Sequence, residues 1–124
     1  MKVVLYMAIT ANGYIAKENN ETPWSDEEWK SFSNIVKQIG NLVVGRKTFE
    51  IMNQDNEFQQ IGNPFTVIVS NNENNNSNFV NSPEQAIKLL EEKGFSDILV
   101  AGGGMLNSSF MQKGLVDEIY LDIE

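Results

Sequence analysis

Apolar and polar positions in this chain alternate between two rhythms, and each change of rhythm marks an element. Residues 2–9 form a nearly unbroken apolar run with β-branched side chains, the pattern of a central strand covered on both faces. Asn41, Leu42, Val43 and Val44 make a shorter run of this kind, residues 65–69 another, and Ile98, Leu99 and Val100 a third, with Phe79 and Val80 as a brief strand. Residues 116–123 alternate apolar with polar, which predicts a strand. Between these runs the apolar side chains fall three and four apart, as on one face of a helix. Trp29, Phe32, Val36 and Ile39 form one stripe, Ala86, Ile87, Leu89 and Leu90 a second, and Met105, Leu106, Phe110 and Met111 a third; Phe49, Ile51 and Met52 mark a shorter helix.

Boundary residues agree with these periods. Ser25 as N-cap and Glu28 three residues on form a capping box, and Gly40 ends that helix. Ser82, Pro83 and Gln85 supply a cap, a proline at the first helical position and a glutamine to close the box, and Gly94 stops the helix. Residues 10–13 read as a turn, 14–16 as apolar again, 17–22 as a polar loop, 53–63 as polar linker and 71–78 as an Asn-rich loop. Strands alternating with helices at this spacing predict a three-layer α/β fold, a mainly parallel central sheet with helices on both faces.

Two strand-to-helix turns carry the candidate chemistry. Gly102, Gly103 and Gly104 follow the buried strand at Val100, and Gly45, Arg46, Lys47 and Thr48 follow the strand at Val44. A helix start offers backbone N–H groups without intrahelical partners and the positive end of the helix dipole, and glycine lets an anion approach the main chain. Neither turn is a standard fingerprint. A G-x-G-x-x-G match would need glycine at Asn107, and the strand-like residues between Gly40 and Gly45 exclude a P-loop, whose lysine position is Arg46. In a mainly parallel sheet, ligands bind at the carboxyl ends of strands. The ends near Ile9, Val44, Val69 and Val100 therefore bring together Ala8, Gly45, Arg46, Lys47, Thr48, Ser70, Gly102, Gly103, Gly104, Met105 and Leu106, a set able to embrace a dinucleotide.

Composition narrows the picture. A chain of 124 residues suits one domain, 1–124. Nine basic against seventeen acidic residues, a net charge of −8, oppose nonspecific binding to nucleic acid or an anionic membrane. Any phosphate must meet a local basic spot, and the adjacent Arg46 and Lys47 at a helix start are one. With no cysteine and no histidine, thiolate chemistry and the usual general base and zinc ligand are absent, so no metal site is expected. No apolar run approaches membrane-spanning length, and a cytoplasmic location is the expectation.

The ordered series of residues 7–16, Pro23-Trp24, Gly45-Arg46-Lys47-Thr48, Val67-Ile68-Val69-Ser70 and Ala101-Gly102-Gly103-Gly104 resembles the dihydrofolate reductase-like family. The likeness is strongest to the branch of the C-terminal reductase domain of the bifunctional riboflavin-biosynthesis deaminase-reductase, and it covers essentially the whole chain. It implies NADPH as cofactor, with Gly45, Arg46, Lys47 and Thr48 at its phosphates, Arg46 and Ser70 near the 2′-phosphate, the glycine triplet at the pyrophosphate, and Ala8, Ile15 and Ala16 along the nicotinamide. The chain departs from that pattern twice. Asn12 stands where this branch commonly carries an aspartate, and the strand pair that follows the last strand in the family is lacking after Ile123.

The function this implies is an NADPH-dependent reductase passing hydride to a small heterocyclic or ribosylaminopyrimidine-like substrate. Asp26, Glu27 and Glu28 follow Trp24 as the substrate-side acid follows the Pro-Trp pair in dihydrofolate reductase. The resemblance therefore makes Asp26 and Glu28 the catalytic candidates, and Trp24 with Asp26 the substrate-binding ones. The rival is a nucleotide-binding protein of the same fold without turnover. The unpaired last strand, in an incomplete sheet, leads to the expectation of a homodimer.

Overall fold

Each apolar run becomes a strand flanked on both faces, and this accounts for the continuity of the runs. The computed structural model describes residues 2–9, 26–70 and 78–123. Its elements are β1 (Lys2–Ile9), α1 (Asp26–Ile39), β2 (Asn41–Gly45), α2 (Arg46–Gln54), α3 (Glu57–Gln60), β3 (Phe65–Val69), β4 (Phe79–Val80), α4 (Pro83–Glu92), β5 (Asp97–Val100), α5 (Gly104–Gln112) and β6 (Glu118–Ile123). Among the described residues the strands form one sheet in the order β4-β3-β2-β5-β1-β6, and every pairing is parallel. With five helices among the described residues, this is the α/β architecture that the alternation predicts.

Successive residues of a strand point to opposite faces, and the core divides accordingly. Val3, Leu5, Val43, Val67, Ile98 and Val100 share one face with Ala86 and Leu90 of α4 and Leu106 and Phe110 of α5. Val4, Tyr6, Leu42, Val44, Ile68 and Leu99 share the other with Phe32 and Val36 of α1, Met52 of α2 and Ile61. Leu5, Val43 and Leu99 have no exposed surface, and a fully buried aliphatic side chain contributes roughly 1.5–3 kcal/mol. The helices after β1 and β2 lead toward the β4 edge of the sheet, whereas those after β4 and β5 return toward β6. The direction of winding therefore reverses between β2 and β5, the switch point where such sheets leave a crevice.

The seam at that switch point is thinly laddered. Its one bridged pair is Val43 with Val100, supplemented by Ala101 N–H donating to Val43 O at 3.0 Å. At the amino end the fully buried Asn41 side chain takes over, Nδ2 donating to Asp97 O at 2.7 Å and Oδ1 accepting from Leu99 N–H at 3.2 Å. At the far side β6 runs along β1, clamped at its start by Asp117, whose N–H donates to Val3 O at 2.9 Å and whose Oδ2 accepts from Val3 N–H at 2.8 Å. Tyr120 stacks on Tyr6 at 5.3 Å between ring centres.

Four expectations need correction. The polar stretch 53–63 is not a plain linker: α2 runs to Gln54, α3 follows, and Ile61 is fully buried beside α1 and β3. One apolar residue anchors an otherwise polar segment, so composition alone hid it. Met105 and Met111 do not join the buried stripe of α5; Met105 is 92% and Met111 48% exposed, because the helix turns only Leu106, Asn107 and Phe110 inward. The last strand starts at Glu118, since Asp117 is occupied with capping β1. Gln85 Oε1 accepts from Asn81 N–H at 2.8 Å and does not close the box on Ser82, although Ser82 Oγ does accept from Gln85 N–H at 3.2 Å.

Candidate functional site

Because all the strands are parallel, their carboxyl ends lie along one edge, and the two glycine turns emerge from adjacent strands at the switch point. They touch. Gly45 N–H donates to Gly102 O at 2.8 Å, and a Cβ built on Gly45 would lie 3.8 Å from both Gly102 O and Gly103 N. Gly45 is the N-cap of α2 and Gly103 the N-cap of α5, and neither helix has a side-chain cap or an acidic residue in its first turn. Two helix starts, whose first N–H groups have no intrahelical partner, therefore open side by side with their dipole ends.

Gly102 has φ of +115°, a conformation that an L side chain rarely adopts, and its peptide bond to Gly103 is cis. A Cβ added at Gly102 or Gly104 would meet nothing within 4 Å, so the main chain here borders open space. The turn is shaped for close approach by a ligand, and the φ at Gly102 requires glycine independently of any ligand.

Basic charge gathers at the same place. Arg46, the chain's one arginine, and Lys47 open α2 and are exposed. Arg46 reaches Glu50 one turn on at only 3.8 Å, with both side chains about half exposed, a pair too loose to hold the guanidinium. Thr48 completes the first turn. Ser70 lies at the end of β3 next to Gly45, 9% exposed, its N–H donating to Val80 O at 2.8 Å. Ala8 stands near the end of β1, paired with Asp122 of β6.

The fold thus gathers Gly45, Arg46, Lys47, Thr48, Gly102, Gly103 and Gly104 into one patch, with Ser70 beside it and Ala8 on the same sheet edge. The side chain of Leu106 is 7% exposed and lies in the core under α5, so what it presents to this turn is its main-chain N–H. Met105 instead projects freely from the first turn. Ile15, Ala16 and Trp24 lie outside the described residues, as do the side chains of Asp26, Glu27 and Glu28, whose backbone forms the start of α1.

Among the described residues, two carboxyls with shifted titration lie away from these turns. Burial, aided by nearby Asp55, pushes Glu57 of α3 above the usual carboxylate range, and a hydrogen bond from Lys113 draws Glu84 of α4 below it. Asn107 escaped the sequence reading as a site residue. It is 7% exposed, and its Oδ1 is buried with no hydrogen-bond partner. The signal was present: a polar residue occupies the inward side of the α5 stripe, between Leu106 and Phe110.

Comparison with known proteins places this geometry. YwjB of Bacillus subtilis (strain 168), described as an uncharacterized protein, is 29% identical over 132 residues, covering 98% of this chain and 75% of YwjB. YyaP of the same strain, described likewise, is 29% identical over 140 residues, covering 98% of this chain and 73% of YyaP. The RibD C-terminal domain family matches residues 1–123, a span that includes both glycine turns and all the described strands. Its members are reductase-like domains linked to riboflavin biosynthesis and generally use NADPH. The chain belongs to the RibD C-terminal domain family, and with it to the dihydrofolate reductase-like superfamily.

Proposed function

We propose that the protein binds NADPH across the carboxyl ends of β2 and β5 and reduces a small heterocyclic or ribosylaminopyrimidine-like substrate. The observation that carries this reading is the 2.8 Å hydrogen bond from Gly45 N–H to Gly102 O, which sets two uncapped helix starts side by side at the switch point. Open space beside Gly102 and Gly104 and the absence of acid from both first turns suit a pyrophosphate. Arg46 supplies planar, bidentate donors for a terminal phosphate such as the 2′-phosphate, and Lys47 adds charge. Ser70 borders that end of the groove.

When bound, NADPH supplies the hydride. The chain's task is to hold the phosphates and orient the reacting rings against each other while excluding water. A helix joining parallel strands starts at their carboxyl edge, so α1 begins on the same side as the glycine turns. Asp26 and Glu28, in the first turn of α1, are the carboxyls we assign to the substrate side, where one of them delivers the proton that accompanies reduction; Trp24 precedes them.

Calorimetric titration with NADPH tests the cofactor reading, and saturable binding is expected. Heats indistinguishable from dilution at millimolar NADPH would sink it. Consumption of NADPH on adding a ribosylaminopyrimidine tests turnover; tight binding without consumption would leave a nucleotide-binding protein in place of a reductase.

A further inference from the structure

We propose that Asn107 is a ligand-binding residue of the groove, its side-chain amide accepting a hydrogen bond from a planar amide-type N–H of the bound molecule. This rests on the nucleotide reading of the two glycine turns. The observation behind it is independent of those turns: Asn107 is more than nine-tenths buried, yet its Oδ1 has no hydrogen-bond partner. A buried acceptor without a donor costs free energy on folding, and such groups persist where something outside the chain completes them.

Position says where that completion comes from. Asn107 lies one turn into α5, and its N–H donates to Gly103 O at 3.0 Å. Side chains on a helix lean toward its N-terminus and cover the turn before their own Cα. The Asn107 amide therefore leans toward Gly103 and Gly104, at the turn that borders the open space beside Gly102 and Gly104. Leucine at 107 would continue the inward apolar stripe of Leu106 and Phe110, so packing gives no reason for an amide.

Two molecules of the proposed reaction carry the matching N–H. One is the carboxamide of the nicotinamide ring, and the other is a lactam of a pyrimidine-type substrate. The test uses Asn107→Leu and Asn107→Ala with three probes: NADPH, 2′-phospho-ADP-ribose, which lacks nicotinamide, and 5,6-diaminouracil. For Asn107→Leu the thermal midpoint is expected to hold or rise, since it removes an unsatisfied group. Binding of one N–H-bearing probe is expected to weaken about tenfold in both variants, the size of one neutral hydrogen bond, with 2′-phospho-ADP-ribose unaffected. Weakening confined to NADPH identifies the carboxamide, and weakening confined to 5,6-diaminouracil identifies the lactam.

Unchanged binding of both, an equal loss for all three probes, or a fall in the midpoint of Asn107→Leu would overturn the assignment. If the native chain takes up neither NADPH nor 2′-phospho-ADP-ribose, the nucleotide reading fails by itself and 5,6-diaminouracil alone judges Asn107. If the native chain binds none of the three, the assignment fails with it.

Discussion

The helix starts of α2 and α5 contrast with that of α4, which begins three residues beyond Val80, itself bonded to Ser70 at the carboxyl end of β3. At α4 the chain satisfies itself. Ser82 Oγ accepts from Gln85 N–H, Gln85 Oε1 accepts from Asn81 N–H, Pro83 removes one donor, and Glu84 sits in the first turn bridged to Lys113 at 2.8 Å. At α2 and α5 glycine caps provide no side-chain acceptor, and in so acidic a chain both first turns are free of acid. A helix start with a built-in cap and carboxylate is closed to an outside anion, whereas one without them is left for a ligand to complete.

Arg46 should show the largest effect of this contrast. Arg46→Ala is expected to weaken NADPH by about ten- to a hundredfold, the range for a hydrogen bond to a charged group. NADH, which lacks the 2′-phosphate, should bind the variant and the native chain alike. Titration of both nucleotides checks this, and equal losses would move Arg46 away from the 2′-phosphate.

A pair of substitutions at matched positions should give opposite signs. Ser82→Ala removes the cap of α4 and is expected to cost about 1 kcal/mol of stability, with NADPH binding unchanged. Thr48→Asp places a carboxylate in the first turn of α2, where the dipole favours it by roughly 0.3–1 kcal/mol, yet it should weaken NADPH by repelling its phosphates. Denaturant unfolding and calorimetry on the two variants decide. If Thr48→Asp left NADPH affinity intact, α2 would be no more a ligand site than α4.

The smallest effect concerns Glu84. Its hydrogen bond from Lys113 holds the folded carboxyl below the ordinary value of 4.5. A depressed carboxyl contributes stability that is present above the unfolded value and lost as pH falls through the folded one. Glu84→Gln should therefore unfold less steeply than the native chain as pH drops below about 4.5, and salt should narrow the difference because the pair is exposed. Acid titration followed by circular dichroism measures it.

Much of this molecule was legible in one dimension because its sheet is parallel and buried on both faces. Unbroken apolar runs such as Val3 to Tyr6 and Leu42 to Val44 leave little choice but a central strand, and three-and-four spacing fixes the inward face of α1. Ile61 and the short α3 were hidden because a single apolar residue has no period. Met105 and Met111 misled for a related reason: spacing identifies a helical face, but only the placement of α5 against the sheet decides how much of that face is covered.

The same division holds for the site. Local residue types alone determined that two strands end in glycine-opened helices and that Arg46 and Lys47 head one of them. Tertiary structure decided that these turns meet, because strands β2 and β5, distant in sequence, became neighbours only when the winding reversed between them. It also decided that Asn107 lies buried with an unsatisfied oxygen. Whether an amide finds a partner depends on every element packed around it, and that is a property of the assembled fold, which no stretch of sequence carries by itself.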